Sequence, residues 1–277
     1  MMKEGTHMSK ICLFASGKGG VGKSSVAACL AVLLARNGYR VTVIDADIGL
    51  RSQDILLNLE NQIVFDLIDV ARGRCLLSQA LIASAELPDL KLLPASQFAR
   101  CKELDPRKLK RILSLLKKDS EFILIDCPAG VERGLRNVLN AGANETALVL
   151  TPDDLCIRSA ERVCSLIAEK KLPPPRLIVN RLDNDLVHSG LMYSARTVSE
   201  LLDLPLLGEI PEDTAMRAAQ LKHRLVIDYD CEARSALMRI ANRLEGQNRT
   251  FPEYGKKKSS FFRRHFPPVP KEVTPGK

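Results

Sequence analysis

The sequence predicts one α/β domain with a mostly parallel sheet flanked by helices, and three observations carry that expectation. Apolar strand-like runs alternate with amphipathic stretches at Arg107 to Lys118, Arg158 to Lys171 and Ser194 to Leu202, the pattern of βαβ units. Val41 to Ile44 and Phe122 to Ile125 each run straight into an aspartate, as buried parallel strands do when they deliver a polar group to their C-terminal ends. The 277 residues are 45% hydrophobic and contain no Trp, enough for one core built from Leu, Ile, Val and Ala. A ligand then belongs beyond the C-terminal ends of the strands.

Taken in order, residues 1–9 read as a flexible N-terminus, 10–250 as the domain and 251–277 as a basic tail. Ile11 to Ala15 is the first strand, and Val26 to Arg36 is an apolar-rich helix. Between them lies Gly17-Lys18-Gly19-Gly20-Val21-Gly22-Lys23-Ser24, a G-x-x-x-x-G-K-S phosphate loop in the strand-loop-helix context the motif requires. Glycines let consecutive N–H groups surround phosphate oxygens, and the helix N-terminus adds its positive dipole end. Lys23 supplies a point charge for β- and γ-phosphates, and the Ser24 hydroxyl can bind Mg²⁺. Gly19, Gly20, Val21, Gly22, Lys23, Ser24 and Ser25 are therefore the expected phosphate-binding residues, with ATP and Mg²⁺ as cofactors.

The second strand leads into Asp45-Ala46-Asp47-Ile48-Gly49-Leu50-Arg51. Its acids could orient an attacking water or support Mg²⁺, and the plainer alternative is that either one caps a turn before Gly49. Asp126, at the end of the next such strand, has the Walker B arrangement that holds Mg²⁺ directly or through water. Cys127-Pro128-Ala129-Gly130-Val131-Glu132 follows, a segment able to change path when a γ-phosphate leaves. Asn180 and Arg181 are expected just after a strand, and Leu206 to Asp213 places a turn after another; loop and helix-cap roles suffice for each of these.

Eight cysteines are scattered without a C-x-x-C pair and without metal-ligand spacing to the four histidines, so they read as small buried hydrophobes in a reducing compartment. Met1 to Ser9 shows no hydrophobic signal region, and the longest apolar stretch, Val26 to Ala35, is too short to span a bilayer. The expectation is a cytoplasmic protein unless something carries it to a surface.

The tail is such a carrier. Residues 251–277 hold a net charge of +5, leaving +3 of the chain's +8 to the other 250 residues. Around 256–266, a helix would gather Phe261, Phe262 and Phe266 on one face, with Lys258, Arg263 and Arg264 spread around it. That suits an anionic membrane interface, each basic residue contributing about 1 kcal/mol near anionic lipid. Nucleic acid, with rings stacking on bases, and an ordinary solvated terminus are the competing readings, and nucleic acid is the weaker of the main two.

Lys18 lies outside the generic phosphate motif: it is either solvated charge or a phosphate contact, in its own subunit or a facing one. Here the sequence resembles the deviant Walker A ATPases of the MinD/ParA family, whose loop reads K-G-G-V-G-K-[ST] as residues 18–24 do. The likeness runs from Lys10 to Phe266 and includes Asp47 to Arg51, Leu93-Pro94-Ala95-Ser96-Gln97 and the D-x-P-A-G of 126–130. It implies that Lys18 crosses the interface of an ATP-bound homodimer and that Asp47 positions water, making Lys18, Lys23 and Asp47 the catalytic set. It also implies that Ser24, Asp45 and Asp126 serve the metal, and that Asn180, Arg181, Pro211, Glu212 and Asp213 enclose adenine. The implied activity is hydrolysis of ATP to ADP and phosphate, slow until a partner stimulates it. The implied role is division-septum placement, with the tail helix attached reversibly to the inner membrane, a MinC-type inhibitor recruited and a MinE-type or other activator. A flagellar-placement ATPase of the FlhG type and a ParA-type DNA-partition ATPase are the alternatives; the glutamine-rich activation motif of the former is missing from Met1 to Lys10.

Overall fold

The computed structural model describes residues 9–131, 133–247 and 250–251. Its strands are β1 (Lys10–Ala15), β2 (Val41–Asp45), β3 (Ile82–Ala83), β4 (Leu90–Leu93), β5 (Phe122–Asp126), β6 (Glu145–Leu150), β7 (Arg176–Leu182) and β8 (Leu206–Pro211). They form one sheet in the order β3-β4-β2-β5-β1-β6-β7-β8, parallel throughout except for the short antiparallel edge strand β3. The helices are α1 (Lys23–Arg36), α2 (Gln53–Leu56), α3 (Leu67–Arg72), α4 (Leu77–Ala80), α5 (Pro106–Leu116), α6 (Arg133–Ala141), α7 (Asp154–Glu169), α8 (Asn184–His188), α9 (Ala195–Leu202), α10 (Thr214–Leu221) and α11 (Glu232–Leu244).

The expected α/β class is observed, with sharper boundaries. α1 begins at Lys23, three residues before its apolar run, because the loop glycine Gly22 ends the turn. α7 begins at Asp154, since the Asp153 carboxylate accepts from Cys156 N and supplies the N-cap. α5 starts at Pro106, behind an Asp105 cap on Arg107 N, because proline is tolerated where no intrahelical N–H bond is needed. β7 and β8 run further than expected, so Asn180, Arg181 and Pro211 lie within strands rather than after them. Ser9, just before β1, is buried and its hydroxyl donates to the Lys117 carbonyl.

Central strands are buried on both faces. β1, β2, β5 and β6 are correspondingly continuous apolar runs, without the alternation of a half-exposed sheet. α1 is buried along nearly its whole length, with Val26 to Ala35 enclosed between sheet and α11, which is why its sequence shows little amphipathic contrast. Replacing a fully buried residue such as Leu30 by Ala would cost about 2–5 kcal/mol. This packing holds the C-terminal ends of β1, β2 and β5 side by side, and Asp45 and Asp126 become cross-strand partners.

Candidate functional site

The phosphate loop leaves β1 in the middle of the sheet. Gly20 and Gly22 have φ of +81° and +88°, a region that side chains rarely adopt, and no side chain caps α1. The first N–H groups of α1 are thus left for an anion, which the helix dipole also favours. A Cβ on Gly17 would lie 2.3 Å from the Ser159 carbonyl carbon of α7, so only glycine permits this approach. On the other side, Asn180 donates through Nδ2 to the Val21 carbonyl at 2.8 Å. Lys18, Gly19 and Gly20 are exposed at the rim. Burial pushes the Asp153 carboxyl up, but the Thr151 hydroxyl, the Cys156 N–H and a contribution from the Lys18 charge hold it below its usual range.

Behind the loop lies a buried polar cluster. Lys23 is ion-paired with Asp126 Oδ1, and both are shielded from solvent. Burial alone would lower the lysine's pKa, yet the Asp126 charge and hydrogen bond raise it above the ordinary value. Removing either partner of so enclosed a pair would leave an uncompensated charge and cost about 3–5 kcal/mol. Asp126 Oδ2 accepts from Gln53 Nε2 at 2.7 Å, and the same nitrogen donates to the Ser24 carbonyl at 3.0 Å. Sequence reasoning missed Gln53: it matches no motif, and only the fold brings it to an acid 73 residues away.

Asp45 takes the capping role. Oδ1 accepts from Asp47 N, and Oδ2 accepts from Ser52 N and Gln53 N, which shapes the loop and starts α2. Burial, then the neighbouring Asp126 charge, pushes the Asp45 carboxyl up to about 7. Asp47 is half-buried, and burial raises its pKa while the Lys23 charge opposes that shift. Ser52 Oγ, Gln53 Oε1 and Asp54 Oδ1 are buried without a hydrogen-bond partner among the described residues. The loop is tied to the segment after β4 by Gly49 N–H on the Ser96 carbonyl.

After β5, Gly130 has φ of +83° and donates to the Ser16 carbonyl, closing this segment over the end of β1. Cys127 is fully buried, and burial drives its thiol pKa well up, which fits packing rather than reactivity. Arg181 is exposed, with φ of +58°. Pro211 is buried, Glu212 is exposed, and Asp213 caps α10 through Ala215 N while accepting from Ala233 N at the start of α11. The structure therefore gathers Lys23, Ser24, Asp45, Asp47 and Asp126 into one cluster and sets Asn180 against the loop. Arg181 lies near the end of β7, and Glu212 and Asp213 follow the end of β8. Lys258, Phe261, Phe262, Arg263, Arg264 and Phe266 lie outside the described residues, as does Glu132.

The donor set suits Mg²⁺. A hydroxyl and carboxylates are hard oxygen ligands, and Mg²⁺ keeps several waters and phosphate oxygens while taking only one or two carboxylates. Among the described residues there is no cluster of three or more His, Cys, Asp or Glu that could cage a metal on their own. The residues expected to serve it, Ser24, Asp45 and Asp126, all lie in this cluster, and no described helix is long and apolar enough to cross a membrane.

A glycine-lined loop on an uncapped helix, with an aspartate at the end of the adjacent parallel strand, defines a P-loop nucleotide-binding protein of the α/β class. The chain belongs to the CobQ/CobB/MinD/ParA nucleotide-binding family, which it matches over residues 12–226. The septum site-determining protein MinD of Helicobacter pylori is 40% identical over 262 residues, 92% of this chain and 97% of that one. Among solved structures, the MinC:MinD cell division complex of Aquifex aeolicus superposes with a TM-score of 0.82 at 32% identity, covering 89% of this chain and 99% of its own. Pyrococcus horikoshii MinD complexed with Mg-ADP superposes at 0.76 with 28% identity, covering 86% of this chain and 96% of its own. Within this ATPase family the chain is of the MinD type, which acts in division-site selection.

Proposed function

We propose that the chain is an ATP-driven division-site switch that pairs on ATP, grips a membrane through its tail as a pair, and recruits a MinC-type inhibitor. The observation that carries this is the exposed Lys18 beside an uncapped, glycine-lined helix start, in a chain whose relatives include a MinC:MinD complex. Mg²⁺ bound with the nucleotide neutralises phosphate charge, and that is its contribution to the chemistry. Lys23 turns from Asp126 to the β- and γ-phosphates, Ser24 and Asp126 serve the metal shell, and Asp47 orients the attacking water. Asn180, Arg181, Pro211, Glu212 and Asp213 border the adenine. Lys18 reaches the nucleotide of a second copy, so the γ-phosphate becomes part of the contact.

A single short amphipathic helix binds lipid weakly. Two held by one pair make the second insertion nearly intramolecular and raise avidity by about 10²–10⁴-fold. Hydrolysis, slow until a MinE-type or other activator acts, returns single copies that leave the lipid. The test uses the full chain with Mg²⁺ and a non-hydrolysable ATP analogue or ADP, followed by light scattering and by sedimentation with phosphatidylglycerol-containing vesicles. Doubled mass and vesicle binding with the ATP analogue alone are expected. Equal mass and equal sedimentation with both nucleotides would refute the switch.

A further inference from the structure

We propose that Gln53 is a positioning residue for the cation shell, an inference that rests on the Mg²⁺–nucleotide reading above. Gln53 is 0% exposed, and it connects all three residues expected to serve the metal. Its Nε2 donates to Asp126 Oδ2 at 2.7 Å and to the Ser24 carbonyl at 3.0 Å, while its backbone N–H donates to Asp45 Oδ2 at 3.0 Å. The orientation of the amide follows from these partners, since a flipped amide would set its oxygen against a carboxylate and a carbonyl.

Both Nε2 protons are therefore committed, and Oε1 is left as a buried acceptor without a donor among the described residues. The two heteroatoms share one carbon, so Oε1 lies close to the Asp126 carboxylate and the Ser24 backbone. Water coordinated to Mg²⁺ turns its protons outward and is the complementary donor, and Mg²⁺ retains several such waters. Gln53 thus sets the carboxylate of Asp126 with its nitrogen and accepts from the metal's hydration shell with its oxygen. Hydrogen-bonded neighbours of this kind orient metal ligands, and their loss typically lowers metal affinity 10–100-fold. Since Gln53 opens α2, the same contact links metal occupancy to the loop that carries Asp47.

The experiment compares ADP binding by the full-length protein, using a fluorescent ADP across a Mg²⁺ titration and again in chelator. Gln53→Leu is expected to raise the half-saturating Mg²⁺ concentration about tenfold or more, while changing ADP affinity in chelator by no more than about twofold. Gln53→Glu, which loses both N–H donors and sets a carboxylate beside Asp126, should shift the Mg²⁺ half-point in the same direction. A half-point within twofold of the unaltered protein would overturn the proposal. So would equal losses with and without Mg²⁺, the signature of a mere structural strut. If a thermal melt shows that the leucine variant does not fold, Gln53→Asn replaces it; that side chain, one methylene shorter, cannot span Asp126 and Ser24 together, and the same expectations apply. Absence of Mg²⁺-dependent ADP binding by the unaltered chain would bring down the nucleotide reading itself, and this proposal with it.

Discussion

The Asn180 amide donates to the Val21 carbonyl across 159 residues of sequence, and its nitrogen stands 2.4 Å from where a Cβ on Gly22 would be. One side chain on a strand thus holds the phosphate loop in shape and excludes any bulkier residue at its last turn. Asn180→Ala would strand a buried carbonyl, a cost of about 1–3 kcal/mol. The expected result is a lower melting temperature together with ADP affinity weakened roughly tenfold, equivalent to about 1.4 kcal/mol, measured by calorimetric titration. Unchanged affinity would show that the loop keeps its shape without the amide.

Gly17 and Gly19 make a matched pair. A Cβ at Gly17 would lie within 2.3–2.6 Å of three Ser159 atoms, whereas nothing lies within 4 Å of one at Gly19. Gly17→Ala should therefore lose about 1–3 kcal/mol as the loop is pushed from α7, while Gly19→Ala should stay near the unaltered protein. Denaturant unfolding midpoints of the two variants check this, and equal midpoints would mean that the loop yields without cost.

Lys18 is exposed, so Lys18→Ala should change stability by no more than about 0.5 kcal/mol. ADP binding by single copies should persist, while the mass increase with an ATP analogue should vanish. Light scattering that still shows a pair would end the assignment of this lysine to a facing nucleotide.

Glu209, half-buried on β8, has its carboxyl pushed up to about 7 by burial, against the charges of Arg239 and Arg243. The folded state therefore holds a proton that the unfolded chain has released between pH ~4.5 and 7. This group's contribution is fully present below that window, declines through it and is lost above it. Glu209→Gln should remove that part of the slope in a series of melting temperatures from pH 4.5 to 8. An unaltered slope would place the titration elsewhere.

The sheet and the loop were legible because each leaves a local mark. Apolar runs ending in Asp45 and Asp126 announce strands whose ends face one site, and the glycine spacing announces the turn. Partners were not legible. Asn180 has the right residue type near the right place, yet its bond to Val21 depends on the approach of β7 to the loop, which no local pattern encodes. Gln53 looks like an ordinary polar residue after Arg51 until β2 and β5 lie side by side. Asp45 could be read as a metal acid or as a turn cap, and the three N–H donors that its carboxylate accepts were hidden because the loop path that brings Ser52 and Gln53 back to it leaves no local mark. The antiparallel pairing of β3 was invisible because two residues are too few to show a period.

The guanidinium of Arg243 donates to the carbonyls of Leu207 and Thr250 and stacks 3.8 Å over the ring of Phe251. Leu207 belongs to the strand that continues to Pro211. Thr250 and Phe251 are therefore pinned to α11 and, through Arg243, to β8, so a probe in place of the Thr250 side chain would tumble with the whole body and report its rotation.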